Sequence, residues 1–350
     1  MKNRMESRLY AEDMASARAA VDLSALKGSS ILITGASGLI GSAVVDLLAG
    51  TETTIYAAGR NLERLQMRFE GYPNVRYVAY DAAAMRAPDL PAADYLIHGA
   101  SNADPRTIMA HPVNTMLANI AGTYHLLQHA KNSGAKRVLL ISSSEVYGKK
   151  ESADAFSENE YGFVDVLDAR SCYPMGKRAA ETLSVSYAAE FGVDCVIARP
   201  GHIYGPTAKA DDSRISSDFA YRAARGEALV LKSAGMQLRS YCYCVDCASA
   251  ILYTLLRGDS GEAYNISNRN SIITIREMAG ILARAGGVSV VAGEPSAAEK
   301  RAFNPMMNSS LNSSKLEALG WRGLFDAQTG LCHTVEILRE LMEQEQKQPR

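Results

Sequence analysis

The sequence predicts an α/β fold, a doubly wound parallel sheet with a smaller C-terminal substrate-binding lobe. Three observations predict it. Short apolar, β-branched runs recur at 30–34, 54–58, 75–80, 95–98, 137–141 and 195–198, with helical stretches between several of them. Strands that alternate with helices build a parallel sheet covered on both faces. A glycine-spaced turn, Gly35-Ala-Ser-Gly-Leu-Ile-Gly41, joins the first run to the first helical stretch. After Arg199 the regularity breaks at Pro200, Gly201, Gly205 and Pro206, and polar stretches at 207–218 and 292–315 follow, which sets a second, loop-rich and helical lobe apart from the first.

Taken in order, residues 1–28 are polar with helical spacing of Leu9, Met14, Ala17 and Ala20, and Lys27-Gly28 stops the pattern. They read as a helical extension packed on the surface. Residues 29–200 carry the alternating pattern and form the first domain. A strand-like 239–245, a helix near 246–257 and an apolar run at 263–266 are placed to return to its sheet, so about 240–268 is assigned to it as well. Residues 201–239 and 269–350 make the substrate-binding lobe. The chain has 350 residues, enough for two unequal lobes.

Composition excludes several functions. With 47% hydrophobic and 21% charged residues the chain is an ordinary globular protein, and 37 Lys plus Arg against 38 Asp plus Glu leave no basic footprint for nucleic acid or an acidic membrane. No run approaches a membrane span, and the first residues lack the apolar centre of a signal peptide, so a cytoplasmic location is expected. Cys172, Cys195, Cys242, Cys244, Cys247 and Cys332 are scattered, as reduced thiols are. Cys242 and Cys244 stand one residue apart in a strand-like run without a ligand turn, so no metal site is expected.

The chemistry begins at the glycine turn. Glycines let the backbone turn tightly and approach a pyrophosphate, whose charge is favoured by the amides that open the following helix. Gly35, Ser37, Gly38, Leu39, Ile40 and Gly41 are therefore dinucleotide-binding candidates on a Rossmann-type domain. The second strand ends in Ala-Ala-Gly-Arg60, with no carboxylate for a ribose 2'-hydroxyl; Arg60 suits a 2'-phosphate, which leans toward NADP. Asp81 and Ala82 follow the third strand, where Asp81 can accept from the adenine amino group, and Gly99, Ala100 and Ser101 close the fourth near the ribose.

A second group follows the fifth strand, with Ser142, Ser143, Ser144 and Glu145 ahead of Val146-Tyr147-Gly148, and Tyr173-x-x-x-Lys177 further on. Residues four apart share a helix face about 6 Å apart. A phenol is a weak base at neutral pH; a nearby ammonium favours its anion, and a serine hydroxyl can bind the same substrate oxygen. Tyr173 and Lys177 are thus catalytic candidates that also touch the cofactor.

These residues resemble the extended short-chain dehydrogenase/reductase family of nucleotide-sugar epimerases, dehydratases and decarboxylases. The resemblance runs from about Ser29 to about Trp321 and takes in the glycine loop, Asp81, HGAS at 98–101, Asn119 in ANIAGT, SSSEVYG at 142–148, YPMGK at 173–177, ARPGHIYGP at 198–206 and LRSYCYCVD at 238–246. It implies bound NAD or NADP, with family usage favouring NAD, a cofactor contact from Asn119, and a nucleotide diphosphosugar between the lobes. It also implies a homodimer built as a four-helix bundle from helices near 113–132 and 173–191.

Within the family the serine that assists the tyrosine lies three residues before the Val of VYG, which gives Ser143. The next pair, Ser144-Glu145, is similar to the UDP-glucuronate decarboxylases, whereas 4,6-dehydratases carry Asp-Glu there; 169–183 and 212–219 are similar to the same branch. That likeness implies that Ser144, Glu145 and Arg239 meet the sugar carboxylate region and Arg214 the diphosphate. Three departures leave the sugar open: His202 replaces an asparagine that touches substrate, Arg60 replaces an acidic residue, and Pro174 follows the tyrosine. The expected activity is decarboxylation through a 4-ketosugar, with 4,6-dehydration and 4-epimerisation as alternatives and a non-catalytic dinucleotide-binding protein outside them.

Overall fold

The computed structural model describes residues 3–150, 154–296 and 306–347. The chain opens with α1 (Arg8–Ala19), β1 (Ser30–Thr34), α2 (Leu39–Leu48), β2 (Thr54–Gly59), α3 (Leu62–Arg68), β3 (Val75–Ala79) and β4 (Tyr95–His98). It continues through α4 (Pro105–Ala110), α5 (Pro112–Ser133), β5 (Arg137–Ile141), α6 (Cys172–Phe191) and β6 (Cys195–Pro200). Then come β7 (His202–Tyr204), α7 (Ile215–Ala224), β8 (Leu229–Leu231), β9 (Leu238–Tyr243), α8 (Cys244–Arg257), β10 (Ala263–Ile266), β11 (Ile272–Thr274), α9 (Ile275–Gly286), β12 (Val290–Ala292) and β13 (Asn308–Ser309), and a long helix, Ala327–Lys347, ends the described chain.

Seven parallel strands form the main sheet in the order β10-β6-β5-β4-β1-β2-β3. The order reverses between β1 and β4, and open sheets of this kind bind ligands at that point, beyond the carboxyl ends of the strands. Successive side chains of a strand point to opposite faces, and the sequence fills both with apolar residues. Ile31 and Ile33 join Ala43, Val44 and Leu47 of α2 and Ala248 and Ile251 of α8 in one core. Leu32 joins Leu126 and Leu127 of α5, with Val138 and Cys195, in the other. Glycines in the left-handed region end the two long helices of that second layer, Gly134 after α5 and Gly192 after α6.

The second lobe departs from expectation in one strand. The alternation at 239–245 does mark a strand, but β9 stays out of the main sheet: its first half pairs with β11 and β13, its second with β7. Only β10 returns, beside β6. The edge of β6 is taken by β10, and the chain leaves β6 at Pro200 and Gly201 to restart as β7, which pairs with β9; a side chain at Gly201 would place its Cβ 2.7 Å from the Ser240 carbonyl oxygen. Glycine is thus what lets β9 cross so close to the kink.

The N-terminal helix forms as expected, but it is built in rather than laid on the surface. Tyr10, Met14 and Ala17 are fully buried. The Tyr10 hydroxyl donates to Asp46 (2.9 Å), which also binds the buried guanidinium of Arg68 and the Tyr72 hydroxyl (2.7 Å). Asp13 accepts from the Tyr243 hydroxyl (3.0 Å) and pairs with His333 of the final helix (3.0 Å). Arg18 reaches the carbonyls of Asp46, Leu47 and Ala49, the open end of α2. Further contacts run from Ser7 to Glu340 (2.5 Å) and from Arg4 to Tyr221 (3.1 Å), so this segment joins both lobes from behind.

Candidate active site

The glycine loop leaves β1 at Thr34 and turns at once. Gly35 has φ +70°, and a Cβ there would stand 2.7 Å from the Gly99 carbonyl. A Cβ on Gly41 would stand 2.4 Å from the Gly35 oxygen. Gly38 is the N-cap of α2. Backbone alone therefore lines a cradle at a helix N-terminus, and Ser37, Leu39 and Ile40 complete it. This arrangement fits a pyrophosphate, because the glycines let the loop pack tightly against the end of β4 and against its own first turn, and the Leu39, Ile40 and Gly41 amides that open α2 have no intrahelical acceptor.

Around the cradle the predicted dinucleotide residues gather at the carboxyl ends of β1 to β4. Thr34 Oγ1 lies 2.8 Å from His98 Nδ1 and accepts from the Gly99 (3.2 Å) and Ala100 (3.3 Å) amides, so it fixes the strand end that leads to Ser101. Burial, helped by Lys177, pushes His98 down to about 3 and keeps it neutral. Asp81 is exposed and caps the Ala83 amide (3.1 Å), while Ala82 packs so closely under Gly122 that a Cβ on that glycine would meet it at 2.8 Å. Asn119 is buried beneath Gly176 and donates to the Thr115 carbonyl (2.8 Å). Arg60 is exposed at the end of β2, and together with Arg64 it lies near enough to Lys209 of the other lobe to help burial lower that ammonium.

The three serines after β5 separate cleanly. Ser142 turns away and donates to Glu181 (2.5 Å), which also grips Arg199 (2.7 and 2.9 Å) behind the site. Ser143 caps a short 3-10 turn, Ser144–Tyr147, by accepting from the Glu145 amide (3.2 Å), and its hydroxyl is close enough to Tyr173 to favour the phenolate. Ser144 is buried in that turn. Gly148 closes it at φ +68°, where a Cβ would sit 2.5 Å from the Phe163 oxygen.

Tyr173 and Lys177 occupy the first turns of α6, 7% and 4% exposed. Burial raises the Tyr173 phenol to about 12, with Glu145 adding to the rise; the Ser143 hydroxyl, Arg214 and Arg170 work against it. Burial pulls Lys177 down to about 8, opposed by Glu181. The Lys177 ammonium donates to the Ile141 carbonyl (2.7 Å) and stands 6.0 Å from the Tyr173 ring centre. The cations closest in effect to the phenol are thus two arginines, where sequence spacing alone points to the lysine.

Around these two stand the remaining candidates. Glu145 is held by Arg170 through both oxygens (2.7 and 2.8 Å). Arg239 is buried on β9, donates to the Leu238 carbonyl (2.9 Å) and feels the charge of Glu145. His202 is pushed down to about 3 by burial and by Arg239 and Arg214, and its buried Nδ1 has no hydrogen-bond partner. Arg214 is forked onto Asp212 (2.9 Å from Nε) and its charge reaches Tyr173. The structure therefore brings Ser143, Glu145, Tyr173, Arg214, Arg239 and His202 together. Arg170 escaped the sequence reading, although it stands three residues before Tyr173 in ARSCYPMGK.

Cys242, Cys244 and Cys247 are all fully buried, and among the described residues no three metal-ligating side chains cluster. No described helix is long and apolar enough to cross a membrane.

The model of the NAD-dependent epimerase/dehydratase family matches residues 31–267. UDP-glucuronic acid decarboxylase 3 from Arabidopsis thaliana is 34% identical over 306 residues, covering 86% of each chain. UDP-glucuronic acid decarboxylase 1 from Xenopus tropicalis is 31% identical over 321 residues, 89% of this chain and 73% of the relative. Among solved structures, the dTDP-glucose 4,6-dehydratase of Streptomyces venezuelae with NAD and TYD bound superposes with a TM-score of 0.76 at 26% identity, over 90% of this chain and 98% of that one. The UDP-glucose 4-epimerase of Thermotoga maritima shares the fold with a TM-score of 0.76 at 24% identity, over 89% of this chain and 99% of that one.

Proposed function

This chain belongs to the NAD-dependent epimerase/dehydratase family, and from that premise we propose that it removes the carboxylate of a nucleoside-diphosphate glucuronate through a 4-ketosugar. One observation carries the reading: Glu145, preceded by Ser144 rather than a second acid, lies among Arg170, Arg239 and Tyr173, a cationic setting suited to a substrate carboxylate. The decarboxylase relatives support it.

The glycine cradle fits NAD, which when bound supplies reversible acceptance of a hydride at the sugar C4. Tyr173 takes the proton of the 4-hydroxyl, and Ser143 hydrogen-bonds the same oxygen. Lys177, lowered by burial to about 8, is anchored on the Ile141 carbonyl one helical turn from Tyr173 and would hold the cofactor ribose. The C4 ketone then lies β to the carboxylate, so the C5–C6 bond breaks with its electron pair entering the carbonyl. Carbon dioxide leaves, a proton from water restores C5, and Tyr173 returns its proton to the 4-oxygen. Arg239 and Ser144 orient the carboxylate end beside the Glu145–Arg170 pair; His202 lines the sugar and Arg214 meets the diphosphate.

The same reading includes a cytoplasmic homodimer. Tyr124 on α5 and Val185 and Phe191 on α6 are 47%, 44% and 41% exposed, and these two helices form the layer in which a second copy would complete a four-helix bundle. Sedimentation of the purified protein as a monomer at micromolar concentration would overturn that part.

The deciding experiment incubates purified protein with UDP-glucuronate and, separately, with dTDP-glucose and UDP-glucose, and records product masses. Loss of carbon dioxide from the uronate is expected. Loss of water from a hexose, or a hexose of unchanged mass and altered stereochemistry, would replace the reading with dehydration or epimerisation.

A further inference from the structure

Arg170 has a fixed seat. It lies in a 3-10 turn, Ala169–Ser171, whose cap Asp168 accepts from the Arg170 amide (2.9 Å), and Ser171 anchors the turn on the Asp165 carbonyl (2.5 Å). Its side chain is 13% exposed, that of Glu145 is 23% exposed, and the two bonds between them are 2.7 and 2.8 Å. The pair ties the turn that carries Ser143 and Glu145 to the start of the helix that carries Tyr173 and Lys177. The third guanidinium nitrogen, Arg170 Nε, is buried with no partner.

A carboxylate held at both oxygens by one guanidinium accepts a proton only by losing charge-assisted bonds in a site largely shielded from water. The two fates of a 4-ketosugar differ in how they use that group. Loss of water needs a base to take the C5 proton. Loss of carbon dioxide needs none, because the electron pair comes from the C5–C6 bond and the only proton required arrives from water. We propose that Arg170 is a positioning residue that withholds Glu145 from proton transfer at C5 and so commits the site to carbon dioxide loss. The proposal rests on the decarboxylase reading above.

The test runs the NAD-loaded full chain with UDP-glucuronate in deuterium oxide and reads product deuterium by mass spectrometry. Wild type should place one deuteron at C5, delivered when the carbanion is quenched. In Arg170→Met the freed Glu145 can deprotonate the 4-ketopentose again, so the doubly labelled fraction should rise about tenfold or more while kcat falls about tenfold. Adding Glu145→Gln to that variant should return the product to one deuteron, which a merely structural role for Arg170 would not do. Arg170→Lys keeps the charge but loses the fork, and should give an intermediate doubly labelled fraction; it serves if the methionine variant does not fold. Wild-type labelling in Arg170→Lys, or wild-type labelling in a folded Arg170→Met, overturns the proposal and leaves the decarboxylase reading standing. Wild-type protein that releases no carbon dioxide overturns that reading, and this inference with it.

Discussion

Tyr173 and Lys177 are governed by burial, which acts on both against the charged form that catalysis uses. For the lysine this has a measurable price. A group whose folded pKa lies below its unfolded one is protonated more readily in the unfolded chain, so it destabilises the fold below about 8 and ceases to do so as the pH rises through the window up to the ordinary lysine value. The difference corresponds to roughly 3 kcal/mol at neutral pH. Lys177→Met should therefore make the cofactor-free protein more resistant to urea at pH 7, with the advantage shrinking as the pH approaches 10, while turnover disappears. A variant less stable than wild type at pH 7 would show that the Ile141 carbonyl bond outweighs desolvation. Tyr173→Phe should leave NAD affinity within about twofold and reduce turnover by about a thousandfold or more, read by fluorescence titration and product mass. Both residues were legible in sequence because a four-residue spacing is a local fact. Arg170 was not: its partner Glu145 is 25 residues away, and only the turn formed by Asp165–Ser171 brings the guanidinium back over it. The Ser142–Glu181–Arg199 network was hidden for the same reason, since nothing in a run of three serines tells which one faces inward and away from the site.

At the scale of elements, the glycine loop works by absence of side chains. Gly41→Ala puts a Cβ 2.4 Å from a backbone oxygen that cannot move without moving β1, so the loop must shift or α2 must tilt. The expected result is a loss of about 1–3 kcal/mol in stability and at least tenfold weaker dinucleotide binding, checked by urea melts and calorimetry; unaltered binding would show that the loop relaxes freely. The sequence also revealed β1 to β6 nearly residue by residue, because period and glycine punctuation are local signals. It misplaced β9. Alternation identifies a strand but not its sheet: β10 takes the edge of β6, and β9 pairs with β7 after the chain leaves β6 at Pro200 and Gly201.

Seen whole, the N-terminal segment ties α2 to β9 and to the helix Ala327–Lys347 on one side of the molecule, and the glycine loop lies at the carboxyl end of β1. Lys209 lies within electrostatic reach of Arg60 and Arg64 near the end of β2, and of Asp211 and Asp212, which partly offset them. That cluster predicts dissociation constants for NAD and NADP within about tenfold of each other, and Arg60→Asp should weaken NADP by a further tenfold or so while sparing NAD; calorimetry showing NADP already excluded from wild type would contradict it. In the N-terminal segment, Tyr10→Phe should cost about 1–2 kcal/mol, since it removes one donor from an Asp46 that Arg68 and Tyr72 still hold. Removing residues 1–20 should cost at least about 5 kcal/mol, because it takes the buried Tyr10, Met14 and Ala17 out of the core together and strips Asp46, Tyr243 and His333 of partners. A truncated protein that melts with the full chain would refute this. The same segment imposes an order on biosynthesis. Its residues are made well before the seats that hold them, since Tyr243, His333 and Glu340 follow their partners Asp13, Asp13 and Ser7 by 230, 320 and 333 residues. Until those seats are made the first helix has only its early partners such as Asp46, and the brace can lock only once the helix Ala327–Lys347 has followed.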